Sequence, residues 1–333
     1  MTEANRTTVT ELATALGTLS FDVSKDLGRK PDELWYVNDD VWKSFCAAHA
    51  SRRYPTEFAT AYANGQAFLG ASDGLRRRRP LRVEWKGPHR PPGDDVTPAD
   101  LRVDHVFQIS CKYHSRVMLN AGPPRLFDNL LASEARTRTD WFLETAPHEY
   151  QAFFEAACVC TGLRLVDHVG DLNAQHRSTL RDQLRDRSLP EALRQPWTEL
   201  CRRVSSETAR RWNRNLQGRH APLRLLWRLT RIGDGPYFLL GADGRRHLRL
   251  RVASRWDWVQ RFALQSFEIS ERDAGQPEVA WRALVSDRAT SDSRTIEGHV
   301  EVRWSHGRFG GLPEAKIYLD TPIATTPGYF PLV

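Results

Sequence analysis

The chain has 333 residues, of which 40% are hydrophobic and 27% are charged. This balance supports a sizeable hydrophobic core and excludes a wholly disordered protein. No apolar run approaches the roughly 18 residues of a membrane-spanning helix, and residues 1–20 lack the basic and apolar regions of a secretory signal, so we expect neither a membrane span nor secretion.

The net charge is +7, and only six of the 48 Lys and Arg residues are Lys. A positive balance favours polyanionic partners such as nucleic acids. The five cysteines are an odd number without the spacing of a disulfide framework or a zinc site. A reducing cytoplasm is therefore the expected compartment.

The first third of the chain predicts helices followed by a β-hairpin. Apolar residues at helical spacing predict helices over 8–17 and 55–69, the second between Pro55 and Gly70. The strands predicted next are 81–85, 99–104 and 106–113. The last two predicted strands are separated by a single residue, so we expect them to form a hairpin with Asp104–His105 as its turn.

The middle third predicts helices, and the last third predicts strands. Helical patterns run over 147–162 and 196–218, each opened by Pro and closed by Gly. Alternation over 236–254, around a loop at 241–244, predicts a second hairpin. Residues 299–322 predict two further strands around a Gly-rich loop. Helices and strands in this order predict an α+β fold.

The hairpin at 99–113 carries the most informative polar pattern. Because side chains alternate along a strand, Gln108, Ser110 and Lys112 share one face, and the apolar residues between them share the other. With a two-residue turn, we expect Asp100 opposite Ile109 and diagonal to Ser110. Asp100 and Lys112 would then approach one another at the open end of the hairpin.

This arrangement resembles the PD-(D/E)xK nuclease superfamily, which includes many restriction endonucleases and repair nucleases. Pro98-Ala99-Asp100 corresponds to the Pro-Asp element and Ser110-Cys111-Lys112 to the acid-x-Lys element. The helix over 55–69 and the strand over 81–85 precede the hairpin in the family's order, and 125–131 can begin the helix that follows. The resemblance covers about 55–135 of the chain.

The resemblance implies a restriction-endonuclease-like core, a mixed sheet flanked by helices, that hydrolyses DNA phosphodiesters with Mg²⁺ or Mn²⁺. It implies that Asp100 binds the metal. It also implies that Lys112 orients the attacking water or stabilises the developing charge.

The chain departs from the family's pattern at Ser110, which occupies the position of the second acid. Glu57 on the preceding helix and Glu84 on the neighbouring strand are the candidate replacements. The implied catalytic residues are therefore Asp100, Ser110, Lys112 and Glu84, and the implied metal ligands are Asp100 and Glu57.

Other motifs compete with this hairpin. Glu84-Trp85-Lys86 is itself an acid-x-Lys run, but the upstream Asp73 lies in a pattern typical of a turn. Glu314-Ala315-Lys316 has no upstream Asp on an evident partner strand. The Gly-rich loop at 305–311 lacks the Lys-Ser/Thr and the helix of a nucleotide-binding loop, so we interpret it as a turn.

Arginines are concentrated in one part of the chain, because 201–231 contains nine Arg and a single acid. Three of them, at spacings of seven and four, share one stripe of the predicted helix. Such a stripe fits the phosphate backbone of double-stranded DNA. A run of four arginines at 76–79 offers a second contact. The predicted DNA contacts are Arg203, Arg210, Arg214, Arg76 and Arg77.

These observations lead to the hypothesis of a metal-dependent DNA endonuclease used in restriction or anti-phage defence. We expect a nuclease-like core with N-terminal helices at 1–140, a helical basic insertion at 141–220 and a β-rich C-terminal region at 221–333. The alternative is a non-catalytic nucleic-acid-binding subunit of a larger complex with a degenerate nuclease core. Ser110 favours this alternative, because it stands in place of the second acid. RNA as the substrate, a homodimer and further subunits of a defence complex also stay open.

Overall fold

The computed structural model describes residues 4–23, 27–87, 98–113, 116–132, 139–185, 188–244 and 246–333. The helices in these ranges are α1 (Arg6–Thr18), α2 (Asp39–Ala50), α3 (Pro55–Gly70), α4 (Pro123–Phe127), α5 (Trp141–Thr145), α6 (Pro147–Thr161), α7 (Ala174–Gln183), α8 (Glu191–Asn215), α9 (Ala221–Leu229) and α10 (Arg255–Arg261). The strands are β1 (Leu34–Trp35), β2 (Val83–Trp85), β3 (Leu101–Val103), β4 (Phe107–Tyr113), β5 (Val117–Ala121), β6 (Tyr237–Asp243), β7 (Arg246–Val252), β8 (Phe262–Asp273), β9 (Pro277–Asp287), β10 (Ser293–Arg303), β11 (Glu314–Leu319) and β12 (Tyr329–Pro331). Helices and sheets both contribute, which confirms the predicted α+β class.

The chain forms two compact units, and each unit is assembled from separate segments. Unit 1 consists of 1–115, 231–262 and 322–333, and unit 2 consists of 116–230 and 263–321. The sequence predicts three consecutive parts instead, at 1–140, 141–220 and 221–333. The units interleave because strands far apart in the chain pair within one sheet, as β4 and β6 do.

Unit 1 contains a seven-stranded mixed sheet in the order β1-β2-β3-β4-β6-β7-β12. The β3–β4 and β6–β7 hairpins are antiparallel, whereas β4 and β6 are parallel. The second predicted hairpin is confirmed, but its loop is shorter than predicted. Gly241 lies inside β6, and Gly244, with φ of 58°, lies at the turn.

Helices α1 and α3 of unit 1 pack with their backbones in direct contact. A Cβ atom at Gly17 would lie 2.0 Å from the Tyr62 carbonyl oxygen, and one at Gly65 would lie 2.2 Å from the Thr14 carbonyl oxygen. Only glycine allows so close an approach. The helix pair covers the apolar face of the sheet and forms one hydrophobic core with it.

A buried polar network fastens α3 to the sheet. Asn64 Nδ2 donates to the Gly241 carbonyl oxygen at 2.8 Å and to Tyr113 Oη at 3.3 Å. Its Oδ1 lies 2.9 Å from His247 Nδ1 and accepts a hydrogen bond from Arg249 Nε at 2.9 Å. Because both ends of the amide have partners, Asn64 can be buried without loss of hydrogen bonds.

Unit 2 combines a five-stranded sheet, β5-β11-β10-β9-β8, with the helices α4 to α9. Its longest helix, α8, begins at Glu191 and contains Pro196, which the sequence analysis placed at the helix start. Trp212 of α8 is fully buried and lies edge-to-face against Phe127, with ring centroids 5.1 Å apart. None of the described helices is long and apolar enough to cross a membrane.

Substitution of Gly65 tests the contact between α1 and α3. Gly65→Ala places a methyl group against the Thr14 carbonyl oxygen, so we expect the free energy of unfolding to fall by about 1–3 kcal/mol in urea denaturation. Gly70→Ala is the control, because it changes the same helix at a position with no atom within 4 Å of the new Cβ. It should be neutral or slightly stabilising. Equal destabilisation by both variants would contradict the close packing.

Candidate functional site

The β3–β4 hairpin determines where Asp100 lies. Leu101, not Asp100, is the cross-strand partner of Ile109, and the Asp100 N–H donates to the Ile109 carbonyl oxygen at 2.8 Å. The predicted register is therefore wrong by one residue. The physical reason is the turn, since Val103 pairs with Phe107 and three residues, rather than two, connect the strands.

The Asp100 carboxylate is held against β4 by two hydrogen bonds. Oδ2 accepts one from the Cys111 backbone N–H at 2.7 Å and a longer one from the Ser110 hydroxyl at 3.5 Å. Ser110 is buried, and Asp100 is half-buried. Ser110 therefore supports Asp100 and adds no charge of its own.

A second carboxylate, to which the sequence analysis assigned no role, lies near the same strand. Glu11 of α1 is 7% exposed, and its Oε2 accepts a hydrogen bond from Trp85 Nε1 at 2.6 Å. Burial raises the pKa of the Cys111 thiol well above its usual range, and the charges of Asp100 and Glu11 raise it further. Both carboxylates therefore act on Cys111, and we call Asp100 and Glu11 the carboxylate site.

The sequence signal for Glu11 is faint. It is the single acid in a helix whose neighbouring residues are apolar or threonine. An acid in such a stretch indicates one of two things. Either this face of the helix is exposed to solvent, or the carboxylate is buried and has a structural or functional role. The spacing within α1 cannot distinguish the two, because the whole helix from Val9 to Thr18 is buried.

Lys112 follows two residues after Ser110 on β4 and is half-buried. It pairs with Gly241 of β6 in parallel. A Cβ atom at Gly241 would lie 1.9 Å from the Lys112 carbonyl oxygen, so only glycine permits this pairing. By strand alternation the Lys112 side chain shares the face of Ser110, whereas Cys111 packs against the core.

Glu84 of β2, predicted as a catalytic residue, lies in a cluster of ion pairs. Its side chain is fully buried, and Oε2 accepts a hydrogen bond from Arg102 Nε at 2.6 Å. Oε1 lies 3.0 Å from His105 Nδ1 and 3.7 Å from Arg82 Nη1. Three basic groups thus surround the carboxylate, which offsets part of their charge.

Glu57, predicted as a metal ligand, lies in the first turn of α3. Strand β4 meets α3 further along, where Asn64 contacts Tyr113 and Phe68 contacts Phe107. These contacts lie two to three turns beyond Glu57, or about 10–16 Å along the helix axis. The described contacts of β4 with α3 therefore do not include Glu57.

The predicted arginine stripe, Arg203, Arg210 and Arg214, lies on one exposed face of α8 in unit 2. The apolar residues of the helix are buried on the opposite side. Arg210 forms an ion pair with Glu207, and Arg203 Nε lies 4.0 Å from Glu149 Oε1. The structure brings the three arginines together, with two carboxylates offsetting part of their charge.

Arg76 and Arg77 lie in unit 1, in the turn that follows α3. Both are exposed and have positive φ angles of 52° and 65°. Arg76 Nε donates to the Ser72 carbonyl oxygen at 2.6 Å. The next two arginines of the run form ion pairs with carboxylates of unit 1.

Unit 2 also contains three potential metal ligands that the sequence analysis missed. Atoms of Glu278, His299 and Glu301 all lie within 4.8 Å of one another. Gln276 Nε2 donates to both carboxylates, at 2.9 and 3.0 Å, and Arg303 donates to Glu301 at 2.9 Å. These donors reach both oxygens of Glu301 and Oε1 of Glu278. Glu278 Oε2 is buried without a hydrogen-bond partner and lies 3.3 Å from Arg272 Nε. His299 and Glu301 lie two positions apart on β10, whereas Glu278 lies on the paired strand β9, so sequence spacing offers only the first two.

Comparisons with protein-family models, with curated proteins and with solved structures find no match for this chain. The functional assignment therefore depends on the residues and contacts described above.

Substitution of Glu84 tests whether its cluster is structural. Glu84→Gln keeps the shape but removes the buried charge beside Arg102 and His105, so we expect the free energy of unfolding to fall by about 1–3 kcal/mol. Glu33→Gln is the control, because its ion pair with Arg79 is largely exposed, and it should change stability by less than about 1 kcal/mol. Urea denaturation of both variants measures the difference. A Glu84→Gln protein as stable as the wild type would show that the cluster contributes little.

Proposed function

We propose that unit 1 carries a metal-dependent phosphodiesterase site of the PD-(D/E)xK kind and that the protein is a DNA endonuclease. The observation that carries the proposal is the position of Asp100, whose carboxylate is fixed by the Cys111 N–H inside the run Ser110-Cys111-Lys112. The chain order of α3, β2 and the β3–β4 hairpin supports it. A role in restriction or anti-phage defence follows from the family resemblance.

The carboxylate site fits a hard divalent cation, Mg²⁺ or Mn²⁺. Such ions prefer oxygen ligands, and one or two carboxylates suffice because water and substrate phosphate complete the coordination. Asp100 is half-buried, which leaves it accessible, and Glu11 adds the second carboxylate that Ser110 cannot supply. When bound, the ion would neutralise charge on the phosphate and provide hydroxide near neutral pH.

We assign the metal to Asp100 and Glu11 in place of Glu57 and Glu84. Glu84 is enclosed by basic groups. Glu57 lies two to three helical turns from the contacts between α3 and β4. Glu11 is the buried acid whose charge acts on Cys111 together with that of Asp100.

The remaining residues orient the site. Ser110 donates to Asp100, and the Lys86 backbone N–H donates to the Asp100 carbonyl oxygen at 2.9 Å, so Asp100 is anchored from both neighbouring strands. Lys112 provides a cation on the face of Ser110. Its ammonium group would stabilise negative charge that develops on the phosphate or orient the attacking water.

Substitutions that remove charge but keep hydrogen bonds test the nuclease site. Asp100→Asn retains an acceptor for the Cys111 N–H, and Glu11→Gln retains one for Trp85 Nε1. We expect each variant, and Lys112→Ala, to lose roughly 100-fold or more of the Mg²⁺-dependent cleavage of plasmid and duplex DNA. Wild-type cleavage should also stop in EDTA.

Glu57→Gln is the matched control for Glu11→Gln, and we expect it to cleave at the wild-type rate. Thermal melting of every variant confirms that the fold is retained. Undiminished cleavage by Asp100→Asn would refute the site. Loss of cleavage in Glu57→Gln, with full activity in Glu11→Gln, would transfer the second carboxylate to Glu57.

The second candidate function is non-catalytic binding of nucleic acid, and the arginine stripe favours it. Three exposed arginines follow one face of α8 within 203–214. Each phosphate that such a side chain neutralises releases counterions, so binding weakens steeply as salt rises. A binding subunit needs this face and does not need the carboxylate site.

The salt dependence of DNA binding tests the arginine stripe. In fluorescence anisotropy with a short duplex, Arg203→Ala combined with Arg214→Ala should reduce the slope of log affinity against log salt by about 2. Arg194→Ala is the control, because Arg194 is exposed on the same helix but lies about 180° around it from Arg203. An equal change of slope in the control would show general charge attraction and not a defined binding face.

A further inference from the structure

Two carboxylates and an imidazole meet on one face of the five-stranded sheet in unit 2. His299 and Glu301 lie two positions apart on β10, so they share a face, and Glu278 of β9 is the direct cross-strand partner of Glu301. One potential ligand atom of each residue lies within 4.8 Å of the other two. Both glutamates are buried, and His299 is half-buried. We call these three residues the Glu–His–Glu cluster.

The two glutamates are a pair of like charges that burial makes costly. Like charges directly opposite one another destabilise a sheet, and buried carboxylates need compensation. Arg303 donates to Glu301 Oε2 at 2.9 Å, and Arg272 Nε lies 3.3 Å from Glu278 Oε2, so two guanidinium groups offset part of the charge. The side chains of Arg272 and Arg303 are 46% and 41% exposed. Solvent weakens such ion pairs, so a divalent cation can compete with them.

The carboxylate oxygens of the cluster have room for a further partner. Each oxygen has two lone pairs. Glu278 Oε2 is buried and accepts no hydrogen bond from the residues that the structure describes. Oε1 of Glu278 and Oε1 of Glu301 accept hydrogen bonds from the same donor, Gln276 Nε2, at 2.9 and 3.0 Å. Gln276 therefore holds the two carboxylates beside each other, as the outer partners of metal ligands do.

A carboxylate outside the cluster orients His299. Its Nδ1 lies 2.8 and 3.0 Å from the two carboxylate oxygens of Asp320. An ionised carboxylate only accepts hydrogen bonds, so Nδ1 carries the proton and the neutral ring has its lone pair on Nε2. Histidines that bind metals are commonly held by a carboxylate in this way. Tyr318 fixes the plane of the ring, because it stacks on His299 with centroids 4.8 Å apart and an interplanar angle of 9°.

We propose that the Glu–His–Glu cluster binds a first-row transition-metal dication such as Zn²⁺, with Asp320 as the residue that positions His299. An imidazole beside two carboxylates suits Zn²⁺, whereas Mg²⁺ and Ca²⁺ prefer oxygen ligands alone. The ion would compensate the buried glutamates and connect β9 to β10. The cluster lies in unit 2, so this proposal is independent of the nuclease site proposed in unit 1.

Isothermal titration calorimetry of the full chain with ZnCl₂ tests the proposal, after treatment with EDTA and dialysis into excess Mg²⁺ that occupies sites made of oxygen alone. We expect saturable binding of Zn²⁺ under these conditions. His299→Gln should weaken it by roughly 100-fold or more, and Asp320→Ala by roughly tenfold. Thermal melting without Zn²⁺ checks that each variant folds. Asp320 is 40% exposed, so its substitution leaves a test that does not disturb a buried residue.

His148→Gln and Glu297→Gln are the matched controls. His148 is exposed on α6, and Glu297 lies on β10 two positions before His299 with a half-exposed side chain. Both variants should bind Zn²⁺ like the wild type. Arg272→Gln removes the cation beside Glu278, so it should tighten binding by roughly twofold to fivefold. Weaker binding in Arg272→Gln would contradict the assignment of Glu278 as a ligand.

Two further outcomes would overturn the proposal. One is a wild-type protein that does not bind Zn²⁺. The other is wild-type affinity in both His299→Gln and Asp320→Ala, which would place the bound ion elsewhere. Asp100→Asn, measured in parallel, should bind Zn²⁺ normally, so failure of the nuclease proposal and failure of this one give different results.

Discussion

Strands β4 and β6 pair in parallel although more than a hundred residues separate them, and unit 1 depends on this pairing. Parallel strands need a long crossover, and here the crossover contains the first segment of unit 2, 116–230. Gly241 is required at the contact, because any Cβ would overlap the Lys112 carbonyl oxygen. With β3 on one edge and β6 on the other, β4 is held on both sides. The Asp100 carboxylate is therefore hydrogen-bonded to a strand that is paired on both sides, which favours a defined site.

The two units carry opposite chemistry. In unit 1 the carboxylates of Asp100 and Glu11 both act on the Cys111 thiol, and the proposed site uses them as the oxygen ligands of a hard cation. Unit 2 carries exposed arginines on α8, which are suited to phosphates. A nucleic-acid enzyme needs both kinds of surface, one to hold the substrate backbone and one to act on a single phosphodiester.

Within the proposed site, Ser110 stands where a second acid is expected, so the hairpin alone does not provide two carboxylates for a metal. A hydroxyl at this position donates to Asp100, but it brings no second charge for a metal. Within the proposed site that charge comes from α1, an element outside the 55–135 region of family resemblance. The close packing of α1 on α3 through Gly17 and Gly65 then becomes part of the site, because it holds the helix that carries Glu11. Glu84 is fully buried too, yet three basic groups surround it, so burial alone does not identify a ligand.

Local patterns in the sequence were sufficient for much of the secondary structure. Helix α3 between Pro55 and Gly70, the helix at 147–161 and both hairpins follow from capping residues and from periods of 3.6 and 2. These signals involve residues within a few positions of each other, so one chain segment contains them entirely. The sequence also determined the exposed face of Arg203, Arg210 and Arg214, since helical spacing sets which side chains share a stripe. Only the tertiary structure decided the hairpin register, the influence of both Glu11 and Asp100 on Cys111, and the meeting of Glu278 with His299 and Glu301. These features depend on turn geometry and on contacts between distant segments, which no local spacing encodes.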